Sequence, residues 1–441
     1  MVLRWWFEFC NVKPITAMKF LVFLFFVFVG INTQAQDSLR LSLPVAQKQF
    51  TDRNLLLLAQ KYNIEAQKAQ IIQAGLLPNP NVSVQQSLLA RKAQVNDILV
   101  GGFGQHAVMV QQLILLAGKR NKSIKLAEIN AEQSQYAFYD LMRTLNYSLN
   151  QNFYELAFQL RTLAVYQQEI QTISKLVTAY KQLNKDGNAP LKDVARLESF
   201  QFSLQTSMNN LELNIAQNQA DLRTLLGISA NLYLIPQLDD VAIDGLNIKN
   251  LTLPTLIDNA QGNRYDLKLQ ESNVRFASAN LSLQKAFKTP NLNVLYTYDN
   301  AGGYTNYYHG LTLSMDLPIF NKNQGNIKTA AFQVDVSQKY YEQSQIDVAN
   351  QVLAAYNQVV KTEQFNQNLD KTFVPTFTKL IDGVMEGYQK KTISLVEFMD
   401  FFDSYKQNIE QLNATQNNRM QAYNQLNFVV GGPLTPNGGT R

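Results

Sequence analysis

One cysteine, Cys10, stands in 441 residues, and it falls in the leader that precedes residue 36. The chain beyond it can form no disulfide, no thiolate metal site and no cysteine nucleophile, and it has no cysteine to carry a lipid. Histidine is nearly as scarce, with only His106 and His309. Nucleophile–base chemistry and zinc chemistry lack parts here. Gly101-Gly102-Phe103-Gly104 reads as a loop, because no helix start with Lys follows it to cradle a phosphate. The reading is therefore a protein that is not an enzyme, with no cofactor and no metal. Charge is thin as well: 17% of residues are charged and the net charge is +5, too little over this length for a nucleic-acid binder. After residue 35 no apolar run approaches the roughly 20 residues of a membrane helix. Any membrane passage must then be made by strands.

The N-terminus reads as an export signal over residues 1–35. Met18-Lys19 precedes the apolar FLVFLFFVFVG, and Thr33 and Ala35 have the spacing of a cleavage site. Residues 1–17 suit an upstream start, with Met18 as the working one. The alternative is a membrane anchor that stays attached. An exported chain without disulfides must be held by packing or by assembly.

What the chain has is length in helices and a repeated turn. From Lys119 to Asn184 there is neither proline nor glycine, enough for a helix of roughly 100 Å. Leu160, Leu163, Ala164, Ile170, Ile173 and Leu176 recur at coiled-coil spacings. Lys185 to Pro190 breaks the run, and a second helix follows from Leu191 to Leu226. The pattern starts again after residue 262. A helix covers 263–287, strands lie within 291–317, a long helical run covers 324–388, and a last helix covers 395–428. Pro375 inside the long run should kink it. The word Pro78-Asn79-Pro80-Asn81-Val82 returns in the second half as Pro290-Asn291-Leu292-Asn293-Val294. Each ends a helix and forces extended geometry on the residue before it. Leu191 matches Leu395 and Gly227 matches Gly431 at one common offset. The chain is thus an internal duplication. The first repeat is 36–227, with a helix over 44–75, a strand hairpin over 81–115 and a helical hairpin over 119–227. A connector spans 228–262. The second repeat is 263–432, with a strand hairpin over 291–317 and a helical hairpin over 324–430. A flexible tail covers 433–441.

Each repeat supplies two strands, and four strands cannot close a membrane barrel, whose smallest examples have about eight. They must pair with strands of other copies, and a trimer would give twelve. In 309–317, Leu311, Leu313, Met315 and Leu317 alternate with Thr312, Ser314 and Asp316, which leaves one lipid-compatible face. Tyr298, Tyr304, Tyr307 and Tyr308 suit an aromatic girdle at a membrane interface. The helices are too rich in Gln, Asn, Lys and Glu for lipid, so they must project from the membrane. The fold class is mainly α with a membrane β-barrel: a long antiparallel α-helical coiled-coil barrel plus four strands per chain.

The two turn words, at 75–82 and 289–294, resemble those of the TolC-like outer-membrane efflux proteins. So do the strand-to-helix step LPIFNKNQG (317–325) and the helix tip YQKKTISLVEFMD (388–400). The resemblance covers essentially all of 36–432. It implies a homotrimer with a twelve-stranded barrel in the outer membrane of a Gram-negative bacterium, in contact with outer-membrane lipid. It also implies a helical tube across the periplasm, and an equatorial belt from segments like 228–262. It implies passive conduction, with energy from an inner-membrane pump of the resistance-nodulation-division or ABC type and coupling by a periplasmic adaptor. Gly187 and Leu191 at the first tip, and Lys391 and Leu395 at the second, become candidates for adaptor docking. Lys391 stands where the family usually has Gly, which implies different docking there.

Asp382 and Glu386 lie one helical turn apart before the second tip. In a trimer they would form acidic rings at the periplasmic mouth, selecting cations. A solvated helix face is the other reading. His106 and His309 occupy equivalent places in the two repeats, each at the start of the second strand of its hairpin, where a structural role at the rim suits them. Pro78, Asn79, Pro290 and Asn291 are the helix-to-strand turns. A channel is favoured over a non-conducting periplasmic scaffold or surface adhesin, which would not need duplicated amphipathic hairpins. The exported substrate is not legible.

Overall fold

The computed structural model describes residues 37–87, 105–240, 251–301, 305–369, 373–390 and 392–433, with 243, 246, 248 and 303. The export signal, the Gly101–Gly104 loop, Tyr304, Lys391 and residues 434–441 of the tail lie outside the described residues, as does the side chain of Asp382.

The chain opens with a short strand, β1 (Ser38–Ser42), and two helices, α1 (Leu43–Arg53) and α2 (Leu55–Gly75). The expected single helix over 44–75 is interrupted at Asn54. Its backbone is extended, and its side-chain oxygen accepts from the Leu56 and Leu57 amides at 3.0 and 3.1 Å. That is the geometry of an N-cap, which supplies partners for donors that a helix start leaves bare. The second repeat breaks likewise at Arg264, between α5 (Leu253–Asn263) and α6 (Tyr265–Ala286). The helical run there starts at Leu253, not at 263 as expected, and takes in the end of the connector.

Two strands follow α2: β2 (Asn81–Gln86) and β3 (His106–Ile114). Then come α3 (Lys119–Lys185) and α4 (Leu191–Leu226). The 67 residues of α3 reach about 100 Å at the helical rise. The connector contains β4 (Tyr233–Gln237), which pairs in parallel with β1. The described residues therefore include two strands beyond the four expected. Buried Gln219 on α4 ties this ribbon down, donating to the Leu234 carbonyl at 2.7 Å and accepting from its amide at 2.9 Å.

After α6 come β5 (Leu292–Ala301) and β6 (Asn306–Ser314). The strand expected at 309–317 thus starts earlier, and Met315 and Leu317 fall beyond its end. Three helices complete the chain: α7 (Gln324–Asn368), α8 (Phe373–Gln389) and α9 (Leu395–Val430). The expected kink at Pro375 is instead a break. Leu369 is extended, α8 begins at Phe373, and Pro375 is its third residue. In a first turn the missing N–H of proline has no intrahelical partner to lose.

Four strands form one antiparallel sheet in the order β2-β3-β5-β6. Directly beneath, helix neighbours run α2, α3, α6, α7, so each helix prolongs a strand of the same rank. Further down α3 packs against α4 and α9. Apolar clusters hold the helices at two levels. Two lie side by side at the upper level, one around Phe50, Phe153 and Leu222 and its repeat counterpart around Val352, Val359 and Leu426, and another lies near the tips, around Ile173, Leu197 and Phe398. At mid-height Arg419 forms a buried ion pair with Glu363. It also donates to the carbonyls of Ile243 and Leu246 at 2.8 and 3.2 Å, binding the connector to α7 and α9. No described helix is long and apolar enough to cross a membrane.

Candidate functional site

The register of the sheet sorts its side chains, because residues opposite one another in antiparallel strands point to the same face. One row reads Val84, Val108, Tyr298, His309, and the next Val82, Val110, Tyr296, Leu311. On the other face the rows are Ser83, Met109, Thr297, Gly310 and Asn81, Gln111, Leu295, Thr312. One face is thus apolar with an aromatic upper border, and the other is largely polar. The apolar face is uncovered: Val84 is 70% exposed and Leu311 71%. An apolar surface of this extent and regularity calls for a partner or for lipid.

At the upper border the two histidines flank one ring. His106 lies 6.3 Å and His309 5.3 Å from the Tyr298 ring, centroid to centroid, and Tyr296 Oη is 2.7 Å from His309 Nδ1. His106 begins β3 as expected, but His309 is the fourth residue of β6, not its first. Among the described residues no group of three or more His, Cys, Asp or Glu is placed to hold a metal.

At the lower border the turn words meet the start of α3. Lys119, 4% exposed, donates from Nζ to the Thr289 carbonyl and to Asn291 Oδ1, both at 2.6 Å. Arg120 Nε reaches the Gly75 carbonyl at 2.6 Å, and Gln112 Nε2 the Pro78 carbonyl at 2.9 Å. One strand-to-helix step thus clamps both Pro-Asn turns. Lys119 carried no sequence signal, since its partners belong to the other repeat.

The far ends of the hairpins differ. At the first tip Gly187 has φ +73°, a region costly for residues with a Cβ. The Asn188 amide donates back to the Leu183 carbonyl at 2.8 Å, and Asn184 Nδ2 to the Ala189 carbonyl at 2.7 Å. Leu191, just past this turn, is 69% exposed. At the second tip the Thr392 amide and hydroxyl both donate to the Gly387 carbonyl at 2.9 Å. A Cβ on Gly387 would meet the Ile393 side chain at 2.7 Å. Ser394 and Glu397 then form a full capping box for α9. Leu395, the repeat counterpart of Leu191, is buried at 8% exposure in the tip cluster. Glu386 is exposed and pairs with Lys390.

Sequence reading missed a buried carboxyl between the hairpins. Glu169 on α3 is 3% exposed, and neither of its oxygens has a hydrogen-bond partner. Burial pushes its pKa up to about 8, against the pull of Lys406. Glu410 and Asp403 push the same way as burial. Beside it the Tyr166 hydroxyl bonds Glu410.

A sheet with one apolar and one polar face, set end to end on helices of which the longest reaches about 100 Å, is the architecture of a duct that begins in a membrane and ends far from it. The sequence profile of the outer membrane efflux proteins matches residues 47–228 and 256–432, and the chain belongs to that family. It is 21% identical over 374 residues to the cobalt-zinc-cadmium resistance protein CzcC of Cupriavidus metallidurans, covering 82% of each chain. Its fold is similar to that of CusC (TM-score 0.70, 14% identity, 88% of this chain and 92% of that one). It is also similar to the open state of the Neisseria gonorrhoeae outer membrane channel MtrE (TM-score 0.67, 16% identity, 90% and 91%).

Proposed function

We propose that three copies of this chain close into a single duct. Twelve strands would form a barrel in the outer membrane of a Gram-negative bacterium, and the helices a tube through the periplasm. The observation that carries this reading is the pair of unlike open edges. The sheet ends on β2 at one side and β6 at the other, and the helical layer ends on α2 and α7. Both edge helices carry exposed apolar side chains, among them Leu55, Tyr62 and Ile72 on α2, and Phe332, Tyr340 and Ile346 on α7. Unlike edges pair head to tail, and a head-to-tail contact that closes makes a ring. Closure also removes the bare strand edges that would otherwise invite aggregation.

The duct conducts passively. An inner-membrane pump supplies the energy, and a periplasmic adaptor docks at the hairpin tips. Gly187 shapes the first tip, and exposed Leu191 offers it an apolar contact. At the second tip Lys391 and Leu395 occupy the corresponding positions. Asp382 and Glu386 line the mouth. The choice of substrate falls to the pump.

The test is the mass of the particle extracted from outer membranes in mild detergent, with detergent subtracted. Three chains per particle and a conducting pore are the expected result. A single chain, or material released by salt, would remove the duct and leave a coiled-coil scaffold.

A further inference from the structure

The four strand–helix junctions lie together at the lower end of the sheet. Asn81 pairs with Gln111, Ile114 with Leu292, and Asn293 with Ser314. Asn323, ahead of α7, donates to the Gln284 carbonyl at the end of α6 at 2.9 Å. The junctions comprise residues 74–81, 113–125, 283–292 and 315–328. They hold eight Lys or Arg against one acid, Asp316, a balance of +7 where the whole chain carries +5. The positive charge of the protein is therefore concentrated at this one level, and everything else is slightly acidic.

Little of that charge is spent internally. Lys119 is buried on its backbone and Asn291 acceptors, and Lys125 pairs with Glu128 at 3.2 Å. Lys285, Lys288, Lys322 and Lys328 are exposed and make no ion pair among the described residues. Bare apolar side chains are interspersed with them. Phe320 is 92% exposed, and Leu77, Leu317 and Ile319 are each more than 60% exposed. These residues lie in the segments that join the strands of that sheet to the helices. Lysines lay their methylene stems on apolar surface and hold the ammonium in the polar layer. Aromatic side chains favour that same boundary.

We infer that the junctions form a collar for anionic phospholipid of the periplasmic leaflet. Lys285, Lys288, Lys322 and Lys328 hold headgroup phosphates, while Ile319 and Phe320 enter the acyl boundary. The inference rests on the membrane duct proposed above and adds the class of lipid that seats it. The excess of positive charge fits an anionic surface, and its place at the end of the sheet with the uncovered apolar face sets it at bilayer height. Each lysine near such a surface raises the affinity about fivefold, and salt screens the effect. The collar fixes the depth of the sheet in the bilayer, so that the long helices start at a defined level.

The test places the full-length chain in bilayers of phosphatidylcholine with and without phosphatidylglycerol. Lipid retained after detergent extraction is quantified by mass spectrometry, and pore conductance is recorded in parallel. The wild type is expected to retain phosphatidylglycerol over phosphatidylcholine by about tenfold, and to lose that preference progressively as salt is raised. The variant Lys285→Gln, Lys288→Gln, Lys322→Gln, Lys328→Gln is expected to conduct normally without the preference. The salt titration of the wild type needs no variant to fold. Equal retention of the two lipids by a conducting wild type would overturn the collar and leave the duct intact, as would undiminished preference in the variant. A chain that enters neither bilayer would overturn both.

Discussion

Glu169 shows what one residue can contribute when its surroundings leave it unpaired. Its carboxyl is buried in the seam between α3 and α9, facing Lys406, Asp403 and Glu410 of α9, with its pKa near 8 instead of the ordinary 4.5. Below about pH 4.5 it is protonated folded or unfolded and has no effect. Between there and about 8 only the unfolded chain ionises, so stability falls by about 1.4 kcal/mol per pH unit. The melting temperature of the wild type should therefore drop from pH 5 to pH 8 more steeply than that of Glu169→Gln, and coincident slopes would refute the assignment. The acids proposed for the mouth are different in kind. Glu386 is exposed and shares its charge with Lys390. Replacing both Asp382 and Glu386 by Ala is expected to reduce the cation preference of the reconstituted pore by several-fold. Unchanged reversal potentials in a salt gradient would assign these residues to an ordinary solvated helix face. Glu386 and Asp382 were picked out as candidates because acids one turn apart near a helix end form a local pattern. Glu169 was not, because its burial depends on a helix of the other repeat.

At the scale of elements, breaks mattered more than runs. The turn between α3 and α4 could be read from Gly187 and Pro190, whose backbone preferences act locally. The break at Asn54 could not, because Asn inside a helical run is common, and what stops the helix is partly tertiary. Its Oδ1 caps α2 while its Nδ2 donates to the Leu225 carbonyl at the end of α4 at 3.0 Å. Asn54→Ala should cost about 1–2 kcal/mol and lower the melting temperature in detergent. Asn54→Asp keeps the cap and loses only the donor, so it should cost less. Equal losses would mean that the cap contributes nothing. The second long run was read as one helix kinked at Pro375, and the chain instead starts a new helix at Phe373. Proline marked the neighbourhood correctly, but the restart just upstream places it in the first turn.

At the scale of the whole molecule, the uncovered edges dominate. Charges placed on the α7 edge, Tyr340→Glu with Ile346→Lys, would be desolvated in any closed ring at about several kcal/mol each. The expected particle is a single chain by detergent-corrected mass. A trimer of normal mass would show that this edge is not the contact. The proposed closure would account for the uncovered surface: in the ring it would be half of an interface and part of a membrane surface, neither complete in one copy.

The sequence alone determined the duplication and the helical hairpins, and it raised the expectation of strands from other copies. These follow from local signals: proline and glycine punctuation, helical periodicity, alternation, and repeat spacing. Tertiary structure alone decided three other things. It put both Pro-Asn turns on the start of α3, left Glu169 without a partner, and brought four separate junctions with their lysines to one level. Those facts are set by packing between segments far apart in the chain, and a propensity carried by each residue separately contains no information about which distant segment it will meet.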